Sequence, residues 1–239
     1  MSIPGFLASV ADLAEMEQAL TFGVDIVDLK NPAEGALGAW PEARLKAAVA
    51  RWHAAGTGAR LSATVGDHPL DPTTLAAAAA RTAAAGVPLV KIGFALPQSG
   101  AEAALAPCLA ALAPLARETR LIAVLFADQG PDTGLVPDFA VAGFAGVMLD
   151  TADKTAGGLR RHLGEPALAR FVDLARAHGL MTGLAGSLKL EDVPPLAALR
   201  PDYLGFRSAL CAGGRTAALD PERMVAVAHA LRAGHGIAA

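Results

Sequence analysis

The stretch Asp25-Ile-Val-Asp-Leu-Lys30 is short, apolar between its charges, and closed by a lysine. Such a run suits a strand covered on both faces, as in a parallel sheet. Upstream, Asp12 is placed to cap a helix whose Glu15 completes a capping box, and Gly23 follows that helix as a C-terminal glycine does. The same order of helix, glycine and short apolar run recurs along the chain. The predicted strands are Phe6–Val10, Asp25–Lys30, Leu61–Gly66, Leu89–Phe94, Leu121–Ala127, Gly146–Asp150, Met181–Ala185 and Tyr203–Arg207. Gly56, Gly86, Gly143 and Gly179 repeat the role of Gly23. Pro41, Pro72 behind Asp71, and Asp220-Pro221 mark helix starts.

Eight strand–helix units at a spacing of roughly 25–35 residues predict a single-domain TIM (β/α)8 barrel, an α/β fold spanning 1–239. The tail from about Gly234 is expected to fray. A doubly wound open sheet is the alternative, but Val10 is followed by Ala-Asp-Leu-Ala-Glu rather than a Gly-rich phosphate loop. No linker of biased composition divides the chain.

Composition narrows the function. The chain is 53% hydrophobic with a mean hydropathy of +0.40, much of it alanine. It has no run approaching the ~20 apolar residues that a membrane span needs. A net charge of −3 without a basic tract argues against nucleic acid. Cys108 and Cys211 are too few for a disulfide framework, and no His/Cys/Asp group has metal-ligand spacing. Met1-Ser-Ile-Pro-Gly5 lacks a signal-peptide pattern, so a cytoplasmic enzyme is expected. Ala-rich helix faces suit an outer ring of helices and leave a homo-oligomer open.

The lysines carry the chemistry. There are five, beside fifteen arginines: Lys30, Lys46, Lys91, Lys154 and Lys189. All except Lys46 fall in or just after predicted strands, where a barrel builds its site. A buried lysine can shed its proton and attack a carbonyl, whereas arginine cannot. Asp28 and Lys30 are two apart and share a strand face. Lys91 lies within the fourth strand, and Asp150 ends the sixth with Lys154 just beyond. Lys30, Lys91 and Lys154 come from even-numbered strands and converge over the mouth, with aspartates able to move protons. The competing reading is a salt-bridged polar core for Lys30 and Lys91, a surface loop for Lys154, and a solvated helix start for Lys189.

Gly186-Ser187, Gly205 through Arg207-Ser208, and Gly213-Gly214 fall where barrels hold phosphate. Arg207 is a candidate bidentate phosphate ligand, or else a structural ion pair. Asn31, Asp67 and Asp128 are candidate substrate contacts, the last two also candidate loop or helix caps. His68 is a weaker one, and Trp40 either walls the site or packs on the rim.

At these residues the chain resembles the (5-formylfuran-3-yl)methyl phosphate synthase family, also called 4-(hydroxymethyl)-2-furancarboxaldehyde-phosphate synthase. The matching segments are Asp25–Gly38, Leu61–Asp67, Val90–Gly93, Met148–Lys154, Leu184–Ser187, and Gly205–Arg207 through Cys211–Arg215. The resemblance implies a TIM barrel that condenses two glyceraldehyde 3-phosphates into a furan aldehyde phosphate, a precursor of methanofuran-type cofactors. It implies Lys30 as the Schiff-base lysine, with Asp28, Lys91, Asp150 and Lys154 as polar partners. Additions and eliminations through an iminium call for no redox cofactor and no metal. Phe126 stands where the family pattern leads one to expect tyrosine, and the Arg207–Cys211 and Gly-Gly-Arg stretches also look altered. A Schiff-base aldolase acting on another sugar phosphate, and a non-catalytic phosphate-ligand barrel, are the alternatives.

Overall fold

The computed structural model describes residues 3–96 and 99–233. Eight parallel strands close into a barrel in chain order: β1 (Gly5–Val10), β2 (Ile26–Leu29), β3 (Arg60–Thr64), β4 (Leu89–Phe94), β5 (Arg120–Phe126), β6 (Gly146–Asp150), β7 (Met181–Leu184) and β8 (Tyr203–Phe206). The outer helices are α1 (Leu13–Phe22), α2 (Glu42–Ala55), α3 (Pro72–Ala84), α4 (Ala101–Ala116), α5 (Val136–Val141), α6 (Leu159–His162), α7 (Glu165–Ala177), α8 (Val193–Ala198) and α9 (Pro221–Ala233). The expected tail from Gly234 lies outside the described residues.

The strands match the expected ones to within a residue or two at each end. The last residues expected of several strands turn out of the ladder. Gly66, for example, has φ +106°, a left-handed conformation that no extended strand accepts. Lys30 lies one position past β2, yet its amide still donates to the Val10 carbonyl at 3.1 Å.

Two apolar layers explain why the strands read as hydrophobic throughout. Outward residues such as Ala8, Val10, Val27, Leu29, Val90 and Ile92 pack beneath the helices. Inward residues Leu7, Ile26, Ile122, Val124, Met148 and Tyr203 fill the barrel. Tyr203 is 1% exposed and plugs the bottom. Gly183, its register partner on β7, makes the room, because a Cβ there would lie 2.3 Å from the tyrosine ring.

The helix signals act as anticipated, with two adjustments. Asp12 takes the Glu15 amide at 2.9 Å, Asp71 takes that of Thr74 at 2.8 Å, and Asp220 takes those of Glu222 and Arg223. Gly23, Gly56, Gly86, Gly143 and Gly179 all have positive φ. Pro41 occupies the cap position of α2 rather than its first turn. The Glu15 carboxylate reaches the Ala11 amide, one residue beyond a capping box, and is buried because it also pairs with Arg207. Trp40 is 3% exposed in the core beneath the helices, so it packs rather than walls the site. No helix among the described residues is long and apolar enough to cross a membrane.

Candidate active site

Inward positions of the middle layer of the barrel are polar, and the register decides who meets whom. Asp28 on β2 stands beside Ser9 on β1 and Ser62 on β3. Its carboxylate accepts the Ser9 hydroxyl at 3.0 Å and the Ser62 hydroxyl at 2.6 Å. Lys91, inward on β4, donates to Asp28 Oδ2 at 3.0 Å. Asp28 is fully buried, and the Lys91 side chain is 2% exposed.

A second pair sits one layer nearer the mouth. Lys30 Nζ donates to Asp150 Oδ2 at 3.3 Å, while Lys154 Nζ donates to Asp150 Oδ1 at 2.5 Å. The Thr151 amide adds a bond at 2.8 Å to Oδ1. Lys30 and Lys154 are 8% and 13% exposed at the side chain and line the open mouth with Ser9, Met148, Ala185 and Arg215. The five residues expected to converge therefore do so.

Two carboxylates thus face three amines. Burial alone would raise both carboxyl groups, but Lys91 and Lys30 outweigh it at Asp28, and Lys154 and Lys30 at Asp150, so both are held below the usual carboxylate range. Burial pulls the Lys91 ammonium down, against Asp28. It does the same at Lys154, against Asp150 and with Lys30 adding to the pull. With both aspartates ionised, three ammonium groups leave one uncompensated positive charge in a buried cluster. An amine that gives up its proton removes that excess, which is the condition for nucleophilic or base chemistry. Lys91 borders the same mouth with only 2% of its side chain exposed, and Lys30 and Lys154 are the more accessible amines.

The expected phosphate region divides. Gly186, Ser187, Gly205 and Ser208 line the mouth. Ser187 has φ +47°, unusual for a residue with a side chain. Gly213 and Gly214 do not line it. Arg207 borders the mouth, but its guanidinium is committed elsewhere. It grips both oxygens of Glu15 and donates to the carbonyls of Ser9 (3.2 Å), Arg215 (2.7 Å) and Ala217 (2.7 Å). The ion-pair reading of Arg207 therefore describes it. Arg215, not singled out from sequence as a site residue, points a guanidinium at the mouth and also donates to the Gly35 carbonyl at 2.9 Å.

Asn31, Asp67 and Asp128 hold loops. The Asn31 side chain takes the Ala33 amide at 3.1 Å, Asp67 takes that of Leu37, and Asp128 takes those of Ala152 and Asp153 at 2.7 and 2.8 Å. His68 bonds the Val65 carbonyl at 2.9 Å, and Lys189 is a solvated residue near Glu191. Ser9 and Ser62 were not anticipated; the only signal was their parity with inward positions. Among the described residues no group of three or more His, Cys, Asp or Glu could hold a metal ion.

A closed eight-stranded barrel with an amine–carboxylate cluster at the C-terminal ends of its strands defines an enzyme of the TIM-barrel class. Solved structures agree on the fold. Phosphoribosylanthranilate isomerase from Thermus thermophilus superposes with a TM-score of 0.62 at 16% identity, covering 96% of this chain and 98% of that one. Thiamine phosphate pyrophosphorylase from Pyrococcus furiosus gives 0.63 at 10% identity, covering 97% and 96%. Sequence goes further, since the 4-HFC-P synthase family matches residues 6–228. The (5-formylfuran-3-yl)methyl phosphate synthase of Archaeoglobus fulgidus is 32% identical over 94% of this chain and 98% of its own. That of Methanopyrus kandleri is 36% identical over 88% and 91%. A Methylorubrum extorquens protein, carrying the same name provisionally, is 44% identical over 97% and 93%. The chain belongs to the (5-formylfuran-3-yl)methyl phosphate synthase family.

Proposed function

We propose that the enzyme condenses two molecules of glyceraldehyde 3-phosphate through a Schiff base on Lys30, supplying a furan for a methanofuran-type cofactor. The observation that carries this reading is the cluster of three lysines on two buried aspartates, two of the amines open to the mouth. The atoms balance without an oxidant. Two triose phosphates give one (5-formylfuran-3-yl)methyl phosphate, one phosphate and two waters.

In this scheme the Lys30 amine adds to the aldehyde, and loss of water gives an iminium. The iminium acidifies the neighbouring carbon, which yields its proton and becomes an enamine nucleophile toward the second aldehyde. Lys154 and Asp150 lie against Lys30 and are the groups suited to take and return protons. Lys91 and Asp28 hold the charge of the floor beneath them. The phosphate is received by Arg215, Ser208 and the backbone of Gly186-Ser187, all of which line the mouth.

Incubation with glyceraldehyde 3-phosphate and borohydride tests this directly. The expected result is a mass increment that peptide mapping assigns to Lys30, and, without borohydride, a furan absorbing in the near ultraviolet. Lys30→Arg should lose both while keeping the fold. An adduct without furan would indicate a different Schiff-base lyase, and no adduct at all would remove the covalent mechanism.

A further inference from the structure

Residues 31–40, after β2, fold back over the barrel mouth, and the fold is closely specified. The Asn31 amide donates to the Gly38 carbonyl at 2.8 Å, which also accepts the Thr64 hydroxyl at 2.9 Å. A Cβ on Gly38 would lie 2.2 Å from the Asn31 carbonyl oxygen. At the centre is Leu37, whose side chain is fully buried in the interior cluster with Phe126, Ile122 and Val124. Room for it comes from Gly93, two residues past Lys91 on the same strand face. A Cβ at Gly93 would stand 2.6 Å from Leu37 Cδ1 and 2.9 Å from Phe126 Cζ. The apolar side chain is thus let into the barrel one inward position above Lys91.

Asp67, in the loop between β3 and α3, holds the segment there. Both of its carboxylate oxygens accept the Leu37 amide, at 3.2 and 3.1 Å. Gly35 lets it approach, since a Cβ there would be 2.1 Å from Asp67 Oδ2, and its φ of +96° suits only glycine. Asp67 is exposed and bears on no core packing.

We propose that Asp67 is a positioning residue for the condensation: it keeps Leu37 seated inside the barrel against Gly93 and Phe126, one inward position above Lys91, so that the enamine meets the second aldehyde rather than decomposing. This rests on the Schiff-base reading above. The chemistry gives the seat its purpose. An enamine of glyceraldehyde 3-phosphate carries its phosphate on the carbon next to the double bond. If the nitrogen lone pair pushes through, the C3–O bond breaks and phosphate leaves with the electron pair. The iminium of 2-hydroxypropenal remains, and water releases it from lysine to tautomerise to 2-oxopropanal. One triose phosphate then becomes one 2-oxopropanal and one phosphate, with no furan. A site that excludes water and confines its intermediate suppresses such losses.

The experiment measures phosphate, furan and 2-oxopropanal together, alongside borohydride trapping on Lys30. Native enzyme should release one phosphate per furan. Asp67→Ala and Leu37→Ala should still trap at Lys30 but yield at least about twofold less furan per phosphate, the difference appearing as 2-oxopropanal. Leu37→Met, which refills the same space, should keep the native ratio. Gly93→Ala, which pushes Leu37 out from below, should leak as Asp67→Ala does. If Asp67→Ala and Leu37→Ala lose turnover while holding one phosphate per furan, Asp67 is merely structural and the proposal falls. Failure of the native enzyme to trap at Lys30 would instead remove the underlying mechanism, and this role with it.

Discussion

Asp28 is the residue on which the floor of the site depends. It is fully buried and holds Lys91, Ser9 and Ser62 together. Deleting one member of a buried ion pair strands the other, which costs about 3–5 kcal/mol. Asp28→Ala should therefore lower unfolding stability by that order in a urea titration, whereas Asp28→Leu combined with Lys91→Met should recover much of it. Near-native stability for Asp28→Ala would mean that Lys91 is already neutral. Acid acts on the same groups. Asp28 and Asp150 have lowered folded values, so their stabilisation is complete above the ordinary 3.8 and is lost as pH falls through those values. Lys154 works in the opposite range. The folded protein binds its proton less tightly than the unfolded chain does, so stability gains as pH climbs from the lowered value toward 10.5. If its free amine moves protons, kcat/KM rises as pH climbs through that lowered folded value and levels off above it, and Lys154→Met removes that limb of the profile. A flat profile in the native enzyme would take Lys154 out of proton transfer. The lysines were legible in the sequence because an arginine-rich chain had placed them at strand ends. The serines were not, because serine is common and only the register shows which ones face Asp28. Nor could spacing tell which arginine, 207 or 215, turns its guanidinium to the mouth.

At the scale of elements, the strands were readable because both of their faces are covered, and the glycines before them because a helix must end in a left-handed turn. Strand ends were less readable, since a ladder stops where one backbone angle changes. The join between β7 and β8 shows how tight the interior is. Gly183→Ala would drive a methyl into the Tyr203 ring, which has no outlet at 1% exposure. Overpacking of this kind costs about 1–3 kcal/mol. The variant should melt earlier by circular dichroism, and Gly183→Ala with Tyr203→Leu should regain part of the loss. Equal melting of native and Gly183→Ala would show that the tyrosine can move aside.

For the whole molecule, Glu15 and Arg207 link the first helix to the chain just past the last strand. Sequence reasoning put Glu15 in a helix cap and left Arg207 either a phosphate ligand or half of an ion pair without a named partner, because the pairing spans 192 residues. Arg207→Ala and Glu15→Ala should each lower stability, and their effects should fall well short of additive in the double variant. KM for the proposed substrate, glyceraldehyde 3-phosphate, should respond more to Arg215→Ala than to Arg207→Ala. The reverse order would return Arg207 to the phosphate site.

Asp150 offers one oxygen to Lys30 and the other to Lys154. An ammonium that becomes an iminium keeps its charge but has fewer hydrogens to share, so the carboxylate turns more fully to its other neighbour. Under the proposed Schiff-base scheme, an adduct at Lys30 would thereby be felt at Lys154 across a single side chain. In that scheme one carboxylate, shared between two amines, would link the two halves of the reaction.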